Sequence, residues 1–255
     1  MFRRPGPQHV ALANVHHIAI DLWSWALFLR ELGVFYSSER SGVPPDLAPL
    51  DASYLEHVKA EAEMLAGPEG ERLWSFWRQQ LAGNLPQLAL PGDRPRPARP
   101  SYHGATRSAR IGPEITRRLK SIGRGHGATA FRTLLAAYFV LLHRYTGARD
   151  LIIACPTAGR SDARFATVLG YFVNLFLVRA KLPGDPTFTE VLERVRDTTR
   201  DALAHSQFPH ALLVERLQPA RDLGRSPLIQ TVFAWQRTSR LLDSERLASF
   251  ALGEQ

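Results

Sequence analysis

Two adjacent histidines and an aspartate four residues further on stand near the start of the chain, as His16-His17-Ile18-Ala19-Ile20-Asp21. An imidazole takes up and releases a proton near neutral pH, which is what a general base acting on an amine or hydroxyl needs. The carboxylate can hold the local backbone or pair with a cation remote in sequence. Three plainer readings compete: histidines satisfied in a core, His17 and Asp21 as two metal ligands, or a chance match to a short pattern. A metal site needs third and fourth ligands. The remaining histidines, His9, His57, His103, His126, His143, His205 and His210, are scattered without paired spacing, so no metal is expected.

The elements that must position this cluster follow from the hydrophobic pattern. Gln8 to Asn14 reads as a strand ending at the histidine pair, and an extended segment would send the two imidazoles to opposite faces. Leu22, Trp25, Leu29 and Leu32 then recur at helical spacing, which predicts a helix to about Tyr36 with Asp21 at its N-cap. Ser41-Gly42-Val43-Pro44-Pro45 breaks that pattern. Helices are expected at 53–65 and 69–81, split by Gly67-Pro68, and at 113–124, 128–145, 187–205 and 209–217. Strands are expected at 106–111, 151–155, 171–182 and 228–235. The proline-rich stretch 90–100 reads as an extended connection. Gly123-Arg124-Gly125-His126-Gly127 lies between two helices and reads as a helix end and loop. No strand precedes a glycine-rich phosphate loop, so nucleotide-binding folds have no support. The fold class is mixed α/β.

Composition bounds the function. A chain of 255 residues with 45% hydrophobic and 22% charged residues can bury a real core. No run of 18 apolar residues is present to span a membrane, and the basic first residues lack the apolar stretch of a secretory signal. A single cysteine, Cys155, excludes an internal disulfide and a cysteine-based metal site, and fits a reducing cytoplasm. The formal charge is +8, carried almost entirely by arginine. It reads either as a solvated arginine-rich surface or as a surface for acidic partners such as a carrier protein or a phosphate-bearing arm. The arginines are dispersed and no nucleic-acid-binding motif is present.

The stretch Val15-His16-His17-Ile18-Ala19-Ile20-Asp21-Leu22-Trp23-Ser24 resembles the HHxxxDGxS motif of nonribosomal peptide synthetase condensation domains, with Leu22 at the usual glycine. Further segments resemble that family in the right order. Trp77 to Gly83, Leu90 to Pro97 and Ser101 to Ala105 look like its connecting region. Pro156-Thr157-Ala158-Gly159-Arg160 is similar to its proline-to-arginine segment. Leu169-Gly170-Tyr171-Phe172-Val173-Asn174 resembles GxFVN, with Arg179 at the later arginine. His205-Ser206-Gln207-Phe208-Pro209 resembles HQxxP. Arg221-Asp222-Leu223-Gly224-Arg225-Ser226-Pro227-Leu228 resembles RDxSRxPL, with Gly224 at the serine.

The resemblance implies a chloramphenicol acetyltransferase-like fold of two lobes with a tunnel between them. It implies an amide-forming reaction between an acyl or peptidyl thioester on a donor carrier protein and an aminoacyl thioester on an acceptor carrier protein. Both substrates would ride on phosphopantetheine arms, with no cofactor bound directly and an adenylation domain in the same assembly line. By resemblance His17 is the catalytic residue and His16 is structural. Asp21 pairs with Arg160 to hold the catalytic loop, Trp23 and Ser24 border the site, and Asn174 lies near the tunnel or serves its strand. Residues 1–66 would be the remnant of an incomplete N-terminal lobe and 67–255 a C-terminal lobe incomplete at its end, a fragment expected to show no turnover alone. A non-catalytic carrier-binding remnant and an ester-forming or acyl-CoA-dependent transferase are the alternatives. Leu22 is expected to add bulk beside the site and to alter the tunnel's shape.

Overall fold

The computed structural model describes residues 1–3, 6, 9–93, 97, 99, 101, 103–219 and 224–236. Part of the proline-rich connection, and Arg221-Asp222-Leu223 of the RDxSRxPL-like segment, lie outside the described residues. Those described divide into two compact units, Met1–Ala62 with Ala158–Val173, and Glu63–Thr157 with Asn174–Gln236.

In the first unit β1 (Phe2–Arg3) and β2 (His9–Val10) pair antiparallel, Phe2 opposite Val10 and Arg3 opposite His9. Of the strand expected over Gln8 to Asn14, Gln8 lies outside the described residues and only His9 and Val10 form a ladder. Beyond Val10 the chain is exposed and has no ladder partner, and His17-Ile18-Ala19 form a turn closed by the Ala19 amide donating to the His16 carbonyl at 3.0 Å. The histidines thus sit on a turn, not on two faces of a strand. Helix α1 (Leu22–Ser41) starts at Asp21, whose side chain accepts from the Ser24 amide, and ends at Gly42 with φ +70°. Helix α2 (Tyr54–Ala66) begins in this unit. A small core of Ala52, Phe165, Val168 and Phe172 completes it.

The second unit is built on β3 (Asp150–Thr157) and β4 (Asn174–Lys181), paired antiparallel along their whole length from Asp150 opposite Lys181 to Thr157 opposite Asn174. Leu151 to Cys155 and Phe176 to Ala180 are buried without alternation, as strands covered on both faces must be. Helix α5 (Ala130–Thr146) packs on α4 (Pro113–Gly125) and on α6 (Phe188–Ala204), and α6 packs on β4. Helix α7 (His210–Leu217) lies against β4 and α3 (Pro68–Gln80). Local signals set the boundaries. Gly67-Pro68 starts α3 with proline in its first turn, and Thr187 with Glu190 forms a reciprocal cap at the start of α6.

Two expected strands do not form. Thr106 to Ile111 is irregular and exposed. Leu228 to Trp235 contributes one parallel bridge, Val232 to Ala154, and its first residue, Leu228, at φ +63° lies outside the extended region. The strand expected from Tyr171 starts late, at Asn174.

Arg179, 8% exposed, locks this unit. Its guanidinium grips the Asp150 carboxylate, with Nη2 to Oδ2 at 2.7 Å, and donates to the carbonyls of Gln80, the last residue of α3, and of Ala82 and Asn84 beyond it. Cys155 is fully buried and its thiol is pushed up to about 12 by that burial, so it is no nucleophile at neutral pH.

Candidate active site

The site residues of the first unit gather around one buried carboxylate. Asp21 is 3% exposed. Its Oδ1 accepts from the Ser24 amide at 2.7 Å and its Oδ2 from the Phe172 amide at 3.0 Å. Arg160 supplies the countercharge. Its Nη2 lies 3.5 Å from Asp21 Oδ1 but only 2.7 Å from Ser24 Oγ, so the shorter bond is to the hydroxyl and the carboxylate's short bonds are to backbone amides. Arg160 Nη1 donates to the carbonyls of Phe165 and Val168, and the guanidinium carbon lies 3.8 Å from the centre of the Phe172 ring. Burial pulls the guanidinium below its ordinary value, and the Asp21 charge pushes it back up.

Ser24 is fully buried and its hydroxyl uses its whole capacity. It donates to the Gly170 carbonyl at 2.7 Å and accepts from the Gly170 amide at 3.0 Å as well as from Arg160. The Asp21 amide donates to the same Gly170 carbonyl at 3.2 Å. Two glycines make the close packing possible. Gly159 has φ +67°, and a Cβ there would collide with the Phe172 carbonyl. A Cβ on Gly170 would stand 2.3 Å from the Tyr54 ring.

His17 sits above this network on the exposed turn. Its Nδ1 is 2.7 Å from the Ile20 carbonyl. A carbonyl oxygen only accepts, so Nδ1 carries the hydrogen and the lone pair of the neutral ring is on Nε2. Tyr171 limits the ring's orientation, meeting the imidazole edge-on at 5.5 Å and 81°. His16 Nδ1 accepts from the Ile18 amide at 3.1 Å, which ties it to the turn. Trp23 Nε1 donates to the Ala166 carbonyl at 2.9 Å, and its ring is 5.9 Å from the Arg160 guanidinium. Leu22 is the first residue of α1, takes ordinary helical backbone and is 44% exposed, so nothing at this position needs a glycine.

Asn174 belongs to the second unit and is fully engaged there. Its Nδ2 donates to the carbonyls of Ser206 and Phe208, both at 2.8 Å, and its Oδ1 accepts from the His210 amide at 3.0 Å. It therefore pins the HQxxP-like turn at the start of α7. Sequence reasoning missed Tyr171, Phe172, Tyr54 and His57. The first two lie in the GxFVN-like segment, but nothing in that segment's pattern says that a ring there would meet His17 or cover Arg160. Among the described residues no group of three His, Cys, Asp or Glu side chains could hold a metal.

His57 stacks on Phe172 with ring centres 4.5 Å apart. Burial first, and the Arg160 charge second, hold it below its ordinary value of 6.5. Burial does the same to His210. A folded state that resists protonating these rings binds fewer protons than the unfolded chain once pH falls below about 6.5. Their contribution to stability is complete above that value and declines as pH drops toward the folded-state values. Urea titrations should give a lower midpoint at about pH 5.5 than at about pH 7.5, and His57→Phe should flatten that dependence. A midpoint that rises on acidification, or a variant with the same slope as the parent, contradicts this.

Comparison with known proteins gives the family. The Condensation domain family model matches residues 1–253. One of the linear gramicidin synthase proteins of Brevibacillus parabrevis is 39% identical over 232 residues, covering 91% of this chain and 3% of that protein. Among solved structures, the X-domain from teicoplanin biosynthesis superposes with a TM-score of 0.78 at 33% identity, over 86% of this chain and 50% of that one. The first condensation domain of the calcium-dependent antibiotic synthetase, in complex with a substrate analogue, gives 0.67 at 28% identity, over 82% and 45%. The chain thus spans a few per cent of such a curated relative and about half of these solved domains. Its α/β architecture is of their chloramphenicol acetyltransferase-like type. With an HHxxxD turn, a buried aspartate–arginine–serine network beneath it and a family match over nearly its whole length, the chain belongs to the condensation-domain family.

Proposed function

We propose that this chain supplies the condensing centre of a nonribosomal peptide synthetase, or of a hybrid with a polyketide synthase. It would join an acyl or peptidyl thioester on a donor carrier protein to the amine of an aminoacyl thioester on an acceptor carrier protein. The observation that carries this reading is the 2.7 Å approach of His17 Nδ1 to the Ile20 carbonyl. With Nδ1 committed to the Ile20 carbonyl, Nε2 is free to accept a hydrogen from an incoming amine. The amine nitrogen attacks the thioester carbonyl, the C–N bond forms and the C–S bond breaks. The proton taken up at Nε2 passes to the departing sulfur, so the imidazole ends neutral.

On this reading both substrates arrive on phosphopantetheine arms, and the chain binds no cofactor of its own. The two carrier proteins and an adenylation domain of the same cytoplasmic assembly line are its partners. Residues 1–66 are the end of a first lobe and 67–255 the body of a second. The test is a reconstitution of the condensation domain containing this sequence with separately loaded donor and acceptor carrier proteins. Amide product that depends on both loaded carriers supports the reading. Product only with an alcohol acceptor or a free acyl-CoA donor assigns the ester-forming or acyl-CoA chemistry, and carrier binding without product assigns a docking role.

A further inference from the structure

We propose that Tyr171 is a positioning residue that transmits the order of the buried Asp21–Arg160–Ser24 network to the His17 imidazole, an inference that rests on the reading of His17 as the proton acceptor. The network has no direct route to the imidazole. Both Asp21 oxygens are taken, by the amides of Ser24 and Phe172 and by Arg160, and the only hydrogen bond His17 makes among the described residues is to the Ile20 carbonyl. That bond is a single one on an exposed turn, and rotation about χ1 and χ2 breaks it and swings the ring away. A second restraint is needed before Nε2 has a fixed direction.

Tyr171 supplies it. Its ring meets the imidazole at 81° with centres 5.5 Å apart, so contact opposes rotation of the imidazole out of this pose. The backbone that presents this ring is held at successive residues by the same network. On one side the Gly170 amide and carbonyl both bond Ser24 Oγ, and that carbonyl also takes the Asp21 amide. On the other the Phe172 amide bonds Asp21 Oδ2. The Tyr171 carbonyl between them accepts from the Tyr54 hydroxyl at 2.8 Å, and Tyr54 can come so close because residue 170 has no Cβ. The carboxylate therefore acts on the imidazole through one residue's backbone and ring. The contact uses the aromatic ring, and the phenol hydroxyl is not required by it.

The experiment is NMR of the chain with isotope-labelled histidine, the His17 signals being assigned with His17→Gln. Ring nitrogen shifts report which nitrogen holds the proton, and the carbon-bound ring protons report the ring current of a neighbouring aromatic. Tyr171→Phe is expected to keep both signatures. Tyr171→Leu is expected to lose the ring-current displacement and to mix the two tautomers, and Asp21→Asn to do the same without touching the tyrosine. Ser24→Ala, which keeps the charge pair, serves in its place if Asp21→Asn does not fold. In the complete condensation domain Tyr171→Leu should lower kcat about 10- to 100-fold with KM little changed, and Tyr171→Phe should not. His17 signals that are identical in Tyr171→Leu and the parent overturn the proposal, as do network variants that leave them untouched. Should His17→Ala retain condensation, the proton-acceptor reading fails while the spectra still decide whether Tyr171 orders the ring.

Discussion

His17→Ala in the complete domain is expected to lower amide formation by about 10²- to 10⁴-fold, the usual contribution of a well-placed general base, without lowering the melting temperature. The two halves of that expectation have separate physical grounds. The side chain is exposed on a turn, and its one hydrogen bond among the described residues, to the Ile20 carbonyl, spans three residues, so its removal breaks no contact between distant segments. The chemistry loses the only group of this motif with a free lone pair: His16 Nδ1 is tied to the Ile18 amide, and Asp21 is buried with both oxygens engaged. His17→Gln separates two roles. An amide can hold an amine by a hydrogen bond but cannot take its proton, so a rate near that of the parent would mean that the imidazole orients the amine, and a loss equal to that of alanine would mean that it accepts the proton. Full condensation by His17→Ala removes the catalytic assignment altogether.

Asp21→Ala is expected to destabilise the fold by about 3–5 kcal/mol, read as a fall in the urea midpoint with the slope preserved. Truncating the carboxylate strands the Arg160 guanidinium, whose side chain is 3% exposed, without a countercharge. It also removes the N-cap of α1, an effect of roughly 1 kcal/mol by itself. It leaves the Phe172 amide without its acceptor. Asp21→Asn keeps one acceptor oxygen for the Ser24 amide but turns an NH2 group toward the Phe172 amide or toward Arg160, donor against donor, so it too should lose stability. An unchanged midpoint in both variants would show that the network is not what holds this part of the fold. Because Asp21 bonds nothing on the imidazole, any loss of rate in a folded Asp21 variant should follow the disorder of His17, which ties this prediction to Tyr171.

Much of the local structure is legible from residue types. Asp21 before a 3.6-residue apolar repeat marks the start of α1, and Gly67-Pro68 marks the break between α2 and α3. The buried runs Leu151 to Cys155 and Phe176 to Ala180 mark the central strand pair. Such signals are read within one turn or one strand, so the sequence carries them directly. The failures are of another kind. The strand read over Gln8 to Asn14 and the one over Leu228 to Trp235 have suitable residues, but a strand exists only where a partner supplies the other half of the ladder. Val10 is the last residue of the first with a partner, and the second meets β3 at a single bridge, Val232 to Ala154.

The same division runs through the site. His16-His17-x-x-x-Asp21 is recognisable as a motif, and its ordered companions point to the family without any coordinates. What the sequence by itself determined was which residues are present: a histidine able to accept a proton, an N-capping aspartate, an arginine 139 positions later. Only the tertiary structure decided what each does. Arg160 makes its short bond to Ser24 and lies at 3.5 Å from Asp21, Asn174 is spent on the turn before α7, and His17 has its lone pair on Nε2. The physical reason is that hydrogen-bond partners and ring contacts depend on separations of a few ångströms between segments far apart in the chain. A linear pattern fixes the kind of side chain at each position, and packing fixes which of them meet.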